Sequence, residues 1–284
     1  MPLIYKNFSG FKIENDRVIL KPEYIQKNKW SFKKITGTRL AAVLGKNKYN
    51  SPFKTWMGMV NLYKDVMDPT LAQAGNVIEP KIRDYVTGQL GIKFKIHNPS
   101  EIRWDAFQEN KIFGGIPDGE PMSDLKVIDY SNNKPMLEIK TSSIDSFVYK
   151  KERNELKMQK DATGLPLIKT KDTKKASWFN SEQRICIPTE YCLQLALYLY
   201  LRNITHGVFA IGFLEAEDYL HPELFQTTNR EIRIVDFNIK REQVTPLIEY
   251  AEKWYNEHIV KGISPVMNQD DHEWLKSEIE WLGN

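Results

Sequence analysis

Ile116-Pro117-Asp118-Gly119 and, twenty residues on, Leu137-Glu138-Ile139-Lys140 are the strings whose reading decides the fold of this chain. The first sets an aspartate in a Pro-Gly turn. The second places a glutamate and a lysine two apart at the end of an apolar strand. Side chains alternate along a strand, so Glu138 and Lys140 share one face. Asp118 and Glu138 offer hard carboxylate oxygens, and the Ile139 carbonyl can add another. Mg2+ takes a few such ligands beside waters and phosphate oxygens. Lys140 can orient or help deprotonate a water whose pKa the metal lowers, or offset charge on a phosphate. The spacing fits phosphodiester hydrolysis, although each string alone also reads as an ordinary turn and an amphipathic strand.

Acid-x-Lys recurs as Asp124-Leu125-Lys126, Glu155-Leu156-Lys157 and Asp172-Thr173-Lys174. Context separates them. Asp124 follows Asp118 too closely to pair back on it, and the other two lie in polar, lysine-rich sequence. Glu138 alone follows a hairpin signal, with Leu125 to Tyr130 as one strand, Ser131 to Lys134 as the turn and Pro135 to Thr141 as the return.

Outward from these strings, the order of elements predicts an α/β domain: a mixed central sheet flanked by helices and elaborated at both ends. Residues 1–30 read as a short strand and helix, or as an arm. A helix runs from Thr36 or Thr38 to a stop at Gly45, and Ser51-Pro52 starts another. Ala74 to Leu90 forms a third, with Ile78, Ile82, Tyr85 and Val86 inward and Glu79 at the edge of that stripe. Ile92 to His97 and Ile112 to Gly115 read as strands. Residues 150–187 read as a basic insertion, irregular and partly disordered. A helix from Pro188, a fully buried strand at Val208 to Leu214 and a strand at Glu231 to Asn238 follow. Helices at Pro246 to Val260 and Trp274 to Leu282 close the chain.

With 284 residues, the chain can form one large domain or two small ones. Cys186 and Cys192 read as free thiols of a reducing cytoplasm, and two cysteines cannot hold a four-cysteine iron–sulfur cluster. No secretory signal or bilayer-length apolar run is present, so the location expected is cytoplasmic. The five histidines show no metal-ligand spacing. The net charge of +3 implies nothing by itself, but its distribution is uneven. The stretch up to Lys54 is rich in Lys and Arg, Lys150 to Lys175 is basic again, and the chain after Glu215 is acidic. One basic side suits a polyanion; solvated faces account for the pattern equally well.

In this order the chain resembles the lambda exonuclease / YqaJ viral recombinase branch of the PD-(D/E)XK nucleases. The matching pieces are Ile35-Thr36-Gly37-Thr38 before a helix ending in Leu44-Gly45; Gly75 with Glu79; Pro117-Asp118-Gly119 with Leu137-Glu138-Ile139-Lys140; and Tyr191-x-x-Gln194. Weaker ones are Tyr49-x-Ser51-Pro52 and Gly262-Ile263-Ser264-Pro265. The resemblance implies a restriction-endonuclease-like core over residues 31–266, an N-terminal arm or extension over 1–30 and a C-terminal helix over 267–284.

It implies Asp118 and Glu138 as metal-binding carboxylates, Lys140 as the catalytic lysine and Glu79 as an additional acid acting through the metal or its water. A solvated helix glutamate is the bland alternative for Glu79. Gln194 resembles a glutamine that orients the lysine or a phosphate; packing on the sheet would also explain it. Thr38 matches a hydroxyl residue that holds a DNA phosphate and serves equally as a helix cap. Where lambda exonuclease has an arginine seven residues before that hydroxyl, this chain has Ser31. Lys33, Lys34 or Arg39 stand near enough in sequence to replace it, without the bidentate fork in the case of the lysines. The second glutamine of the family's Gln-x-Gln is Ala196.

The expectation is therefore an exonuclease acting on duplex DNA ends with Mg2+, for which Mn2+ substitutes. The resemblance leaves room for a single-strand annealing partner and a homo-oligomer. A restriction-type or structure-specific endonuclease and a catalytically silent DNA-binding subunit remain the alternatives.

Overall fold

The computed structural model describes residues 10–64, 68–152 and 155–282. The first nine residues of the expected arm, Arg153 and Asn154 of the expected insertion, and Gly283 and Asn284 lie outside the described residues.

A hairpin of β1 (Phe11–Glu14) and β2 (Arg17–Leu20) turns at Asn15 and Asp16, both at positive φ, which Asn and Asp tolerate better than most residues. Helix α1 (Pro22–Asn28) follows, so strand plus helix is the form residues 11–28 take. The hairpin is stitched to the far end of the chain. Leu20 N–H donates to the Gly262 carbonyl at 2.8 Å, and Ser264 N–H to the Val18 carbonyl at 2.9 Å.

Strand β3 (Ile35–Thr36) runs into α2 (Gly37–Val43), and Gly45 at φ 65° stops the helix as expected. Helix α3 (Pro52–Met59) is capped by Ser51, whose Oγ accepts Lys54 N–H at 3.0 Å. Helix α4 (Pro69–Leu90) starts before its apolar stripe, because Asp68 caps it and Pro69 suits its first turn. Ile78, Ile82 and Val86 are buried along it.

Three short strands follow: β4 (Phe94–Lys95), β5 (Phe113–Gly114) and β6 (Glu120–Pro121). β5 pairs parallel to β3, and β6 antiparallel to β4. The expected strand Leu125 to Tyr130 is absent. Ser123 N–H donates to the Val127 carbonyl across a tight turn, Lys126 has φ 59°, and Leu125 is 85% exposed. The segment folds back on the end of β6 instead, where Ile128 bridges Met122 and Asp129 N–H donates to the Pro121 carbonyl at 2.8 Å. It is Gly119 that lies beside the return strand, exchanging two hydrogen bonds with Leu137 at 2.9 and 3.2 Å.

Strand β7 (Met136–Ser143) is the return strand, starting one residue later and ending two residues later than expected. After it, the described residues of the segment expected to be irregular take short regular elements. These are β8 (Ser146–Phe147), β9 (Tyr149–Glu152), β10 (Glu155–Met158), β11 (Ile168–Thr170) and α5 (Thr173–Ala176), with β9 paired to β10 and β8 to β11. A few large side chains anchor them. Trp178 is buried and its indole N–H donates to Ser142 Oγ at 2.9 Å. These anchors are too sparse in sequence to give a period, which is why the polar surroundings dominated the reading.

Helix α6 (Thr189–Arg202) and strand β12 (His206–Leu214) follow, then α7 (Ala216–Leu220), β13 (Ile232–Asn238), α8 (Arg241–Tyr255) and α9 (Gln269–Leu282). Helix α8 begins ahead of Pro246 because Gln243 reaches back to accept Lys240 N–H at 3.0 Å. β12 is the middle strand, parallel to β7 and antiparallel to β13, so the sheet is mixed and its centre is the apolar run. Leu137 and Ile139 join Ile78, Ile82 and Val86 of α4 on one face. Glu138 and Lys140 therefore point to the other, where α2 and α6 pack. Gly37 permits that packing: a Cβ there would stand 2.5 Å from Gln194 Cγ.

Candidate active site

A loop, a strand and a helix bring Asp118, Glu138, Lys140 and Gln194 together. The Gly119–Leu137 bridge lays residues 117–119 beside β7, and Asp118 Oδ2 accepts Ile139 N–H at 2.7 Å. Glu138 is fully buried. Its Oε1 accepts Lys140 Nζ at 2.7 Å and Gln194 Nε2 at 2.5 Å. Gln194 Oε1 in turn accepts Lys140 Nζ at 3.2 Å. The glutamine thus spans the pair, which sheet packing alone would not require. The ammonium also lies 4.8 Å from the Tyr191 ring centroid, and Tyr191 is stacked on Trp178.

Glu138 Oε2 is buried with no hydrogen-bond partner among the described residues. An orphaned carboxylate oxygen costs on the order of 1–3 kcal/mol or more unless a cation or donor meets it. With the Asp118 carboxyl beside it, it offers the hard-oxygen chemistry that a divalent cation takes. Among the described residues no three His, Cys, Asp or Glu side chains form a ready cage. That suits Mg2+ or Mn2+, which keep waters and borrow phosphate oxygens, better than a closed structural metal site.

Burial raises the pKa of Asp118, against the pull of Lys140, the Ile139 N–H and Arg83. Burial and then Asp118 raise Glu138 likewise. Glu79, on α4, is pushed up to about 7 by burial and by Asp118, with Lys140 and Arg83 opposing. It therefore belongs electrostatically to the same cluster. Burial works against the Lys140 charge, but Glu138 and Asp118 overcome it and hold the lysine above its ordinary value. Lys140 stands as a cation, suited to orienting a water or offsetting phosphate charge rather than to taking a proton. Metal binding must displace protons from such acids. Mn2+ titration near pH 7 is expected to release about one proton per ion, read from calorimetry in two buffers of unequal ionisation heat. Equal heats would show the acids already ionised.

The phosphate candidates divide. Lys34 Nζ donates to Asp105 Oδ2 at 2.6 Å and to the Phe107 carbonyl at 3.2 Å, so it serves the loop. Arg39 donates to the Lys34 carbonyl at 2.8 Å, and burial lowers its pKa. Lys33 is lowered by burial, then by Arg39 and Lys64, which marks a crowded patch of cations. Lys64 was not singled out by sequence. Thr38 is exposed at the start of α2, sharing a hydrogen bond with Thr36. Ser31, in place of the arginine, donates to the Asn28 carbonyl and accepts from Asn61.

Four further residues support the site. The Tyr198 hydroxyl takes backbone hydrogen bonds from Gly37 and Ile116; its spacing of four from Gln194 on one helix face was the available signal. Gly115, at φ 137°, passes so close that a Cβ would sit 2.5 Å from that hydroxyl. Glu120, fully buried two residues beyond Asp118, gathers Arg202, Tyr130 and His97. Arg83, 7% exposed, donates from Nε to the Asp118 carbonyl at 3.1 Å; it lies four residues after Glu79.

Residues 28–205 match the family model described as the YqaJ-like viral recombinase domain. Among curated relatives, an uncharacterized protein of Mycoplasma genitalium, MG373, is 48% identical over 276 residues, covering 97% of this chain and 98% of the relative. Its homolog in Mycoplasma pneumoniae is 49% identical over 266 residues, covering 94% and 95%. Among solved structures, the alkaline exonuclease of Laribacter hongkongensis has a TM-score of 0.46 and 12% identity, covering 92% of this chain and all of the other. A phage-related exonuclease of Haemophilus somnus has a TM-score of 0.48 and 14% identity, covering 83% and 99%. No helix among the described residues is long and apolar enough to cross a membrane.

Proposed function

The chain belongs to the YqaJ-like viral recombinase family, and on that footing we propose that it is a divalent-metal-dependent deoxyribonuclease that degrades duplex DNA from an end, in the cytoplasm. The observation that carries the proposal is the orphaned Glu138 Oε2 beside Asp118, with a charged lysine fixed on the other oxygen of the same carboxylate. A binding protein has no use for that arrangement.

Asp118, Glu138 and the Ile139 carbonyl would hold Mg2+, or Mn2+ in its place, with Glu79 acting on the ion or its waters. The metal supplies an acidified water and a counter-charge for the scissile phosphate. Lys140 keeps its proton, orients the water and offsets developing charge; Gln194 accepts the lysine at Oε1 and donates from Nε2 to Glu138, bracing the pair. Arg39, Lys33 and Thr38 hold DNA phosphates at the entrance.

The test incubates the protein and Mg2+ with a linear duplex bearing 5′-phosphates and with the same DNA as a closed circle. Loss of the linear form alone is expected. Cutting of the circle would make the enzyme an endonuclease, and no cleavage of either under Mg2+ or Mn2+ would defeat the proposal.

A further inference from the structure

Arg83 is the charged residue of the α4 stripe that the proposed chemistry leaves unexplained. It is 7% exposed and follows Ile82 on a helix whose other buried positions are Ala74, Ile78 and Val86. Taking a guanidinium out of water is expensive, and an apolar side chain of similar volume fills such a place more cheaply. The contact that fixes it is not a carboxylate oxygen but the main-chain carbonyl of Asp118, which its Nε meets at 3.1 Å. Glu79 stands one helical turn before it on the same face. The charge of Arg83 acts on both Glu79 and Asp118, in each case opposing the effect of burial.

Three acids meet at this site, and Lys140 is spent on Glu138. We propose that Arg83 is the positioning residue of the metal site: it clamps the Asp118 main chain and supplies the counter-charge that holds the acids together until a divalent cation arrives. This rests on the metal-dependent reading given above. A resident cation that shares its acids with the incoming metal repels that metal, so Arg83 both shapes the site and keeps the ion from binding too tightly.

Arg83→Gln keeps an N–H donor for the Asp118 carbonyl and removes the charge. Mn2+ titration by calorimetry at pH 8 is expected to show tighter binding than wild type, roughly fivefold as an order of magnitude for one charge removed from a partly screened site. The metal-free variant should melt earlier than wild type and regain the difference at saturating Mn2+. A merely structural arginine gives the opposite pattern: unchanged or weaker Mn2+ binding with a melting deficit that the metal does not repair. That pattern would overturn the inference while leaving the metal site standing. Wild type that takes up no Mn2+ would bring down the metal reading first, and this inference with it. Should Arg83→Gln fail to fold, Arg83→Lys carries the comparison. It keeps the charge, so its Mn2+ affinity should stay within twofold of wild type, and a larger change in either direction would overturn the assignment.

Discussion

Lys140→Met is expected to lower DNA cleavage about a thousandfold, the range for losing a positioned group that acts on developing charge. Duplex binding should be nearly unchanged, because the ammonium is directed at Glu138 Oε1 and Gln194 Oε1, not at the surface. The variant has a second signature. Glu138 then keeps only Gln194 as a partner, so a buried carboxylate loses its counter-charge. Breaking such a pair from one side destabilises a protein by about 3–5 kcal/mol. Metal-free Lys140→Met should therefore unfold at lower temperature, and Mn2+ should restore much of the loss by supplying the missing positive charge. Cleavage assays, duplex-binding titrations and melting with and without Mn2+ together separate the two effects. Cleavage within tenfold of wild type would remove Lys140 from the chemistry. Lost duplex binding would move it to the substrate interface.

How much of this was legible in the sequence varies with the range of the interaction. Glu138 and Lys140 could be placed together because a strand alternates with period two, and β7 obeys it. The central position of Val208 to Leu214 followed from an unbroken apolar run. The partner of Glu138 across the hairpin was misplaced. Leu125, Val127 and Ile128 look more like a strand than Pro117 and Gly119 do, yet pairing goes to the segment that the Asp118–Ile139 contact and the buried Glu120 fix from both sides. Nothing local encodes that. The short elements after Tyr149 escape a local reading for a related reason: Trp178 docks on Ser142, a contact made across 36 residues. Arg83 and Tyr198 could have been noticed by their spacing of four from Glu79 and Gln194. Their roles could not, since both act on backbone atoms of the 114–118 segment, to which no sequence pattern links them.

Glu120→Gln should destabilise the fold by about 3 kcal/mol at neutral pH, since the carboxyl is held near 2 against an ordinary 4.5. Burial by itself would push the other way; hydrogen bonds from His97, Arg202 and Tyr130 reverse it. Four donor atoms converge on two oxygens. Arg202 Nε and Tyr130 Oη meet Oε1, each at 2.6 Å, while Arg202 Nη2 and His97 Nε2 meet Oε2 at 3.0 and 2.5 Å. An ionised carboxylate can only accept, so His97 must donate from Nε2. Glutamine turns one of those acceptors into a donor and strands a nearby guanidinium that is otherwise stacked on Phe107. Because the folded value lies below the unfolded one, this stability is fully present above about pH 4.5 and is lost as pH falls toward 2. Urea unfolding of wild type and Glu120→Gln at pH 7 and pH 3 should therefore show a gap that narrows at the lower pH. A gap that stays constant would mean that packing, not charge, accounts for Glu120. The same loss should reach the active site, because Asp118 lies two residues away on a segment anchored on one side by this cluster and on the other by Ile139. Glu120→Gln is expected to weaken Mn2+ binding even at a temperature where it is fully folded, and unaltered metal affinity there would confine Glu120 to stability alone.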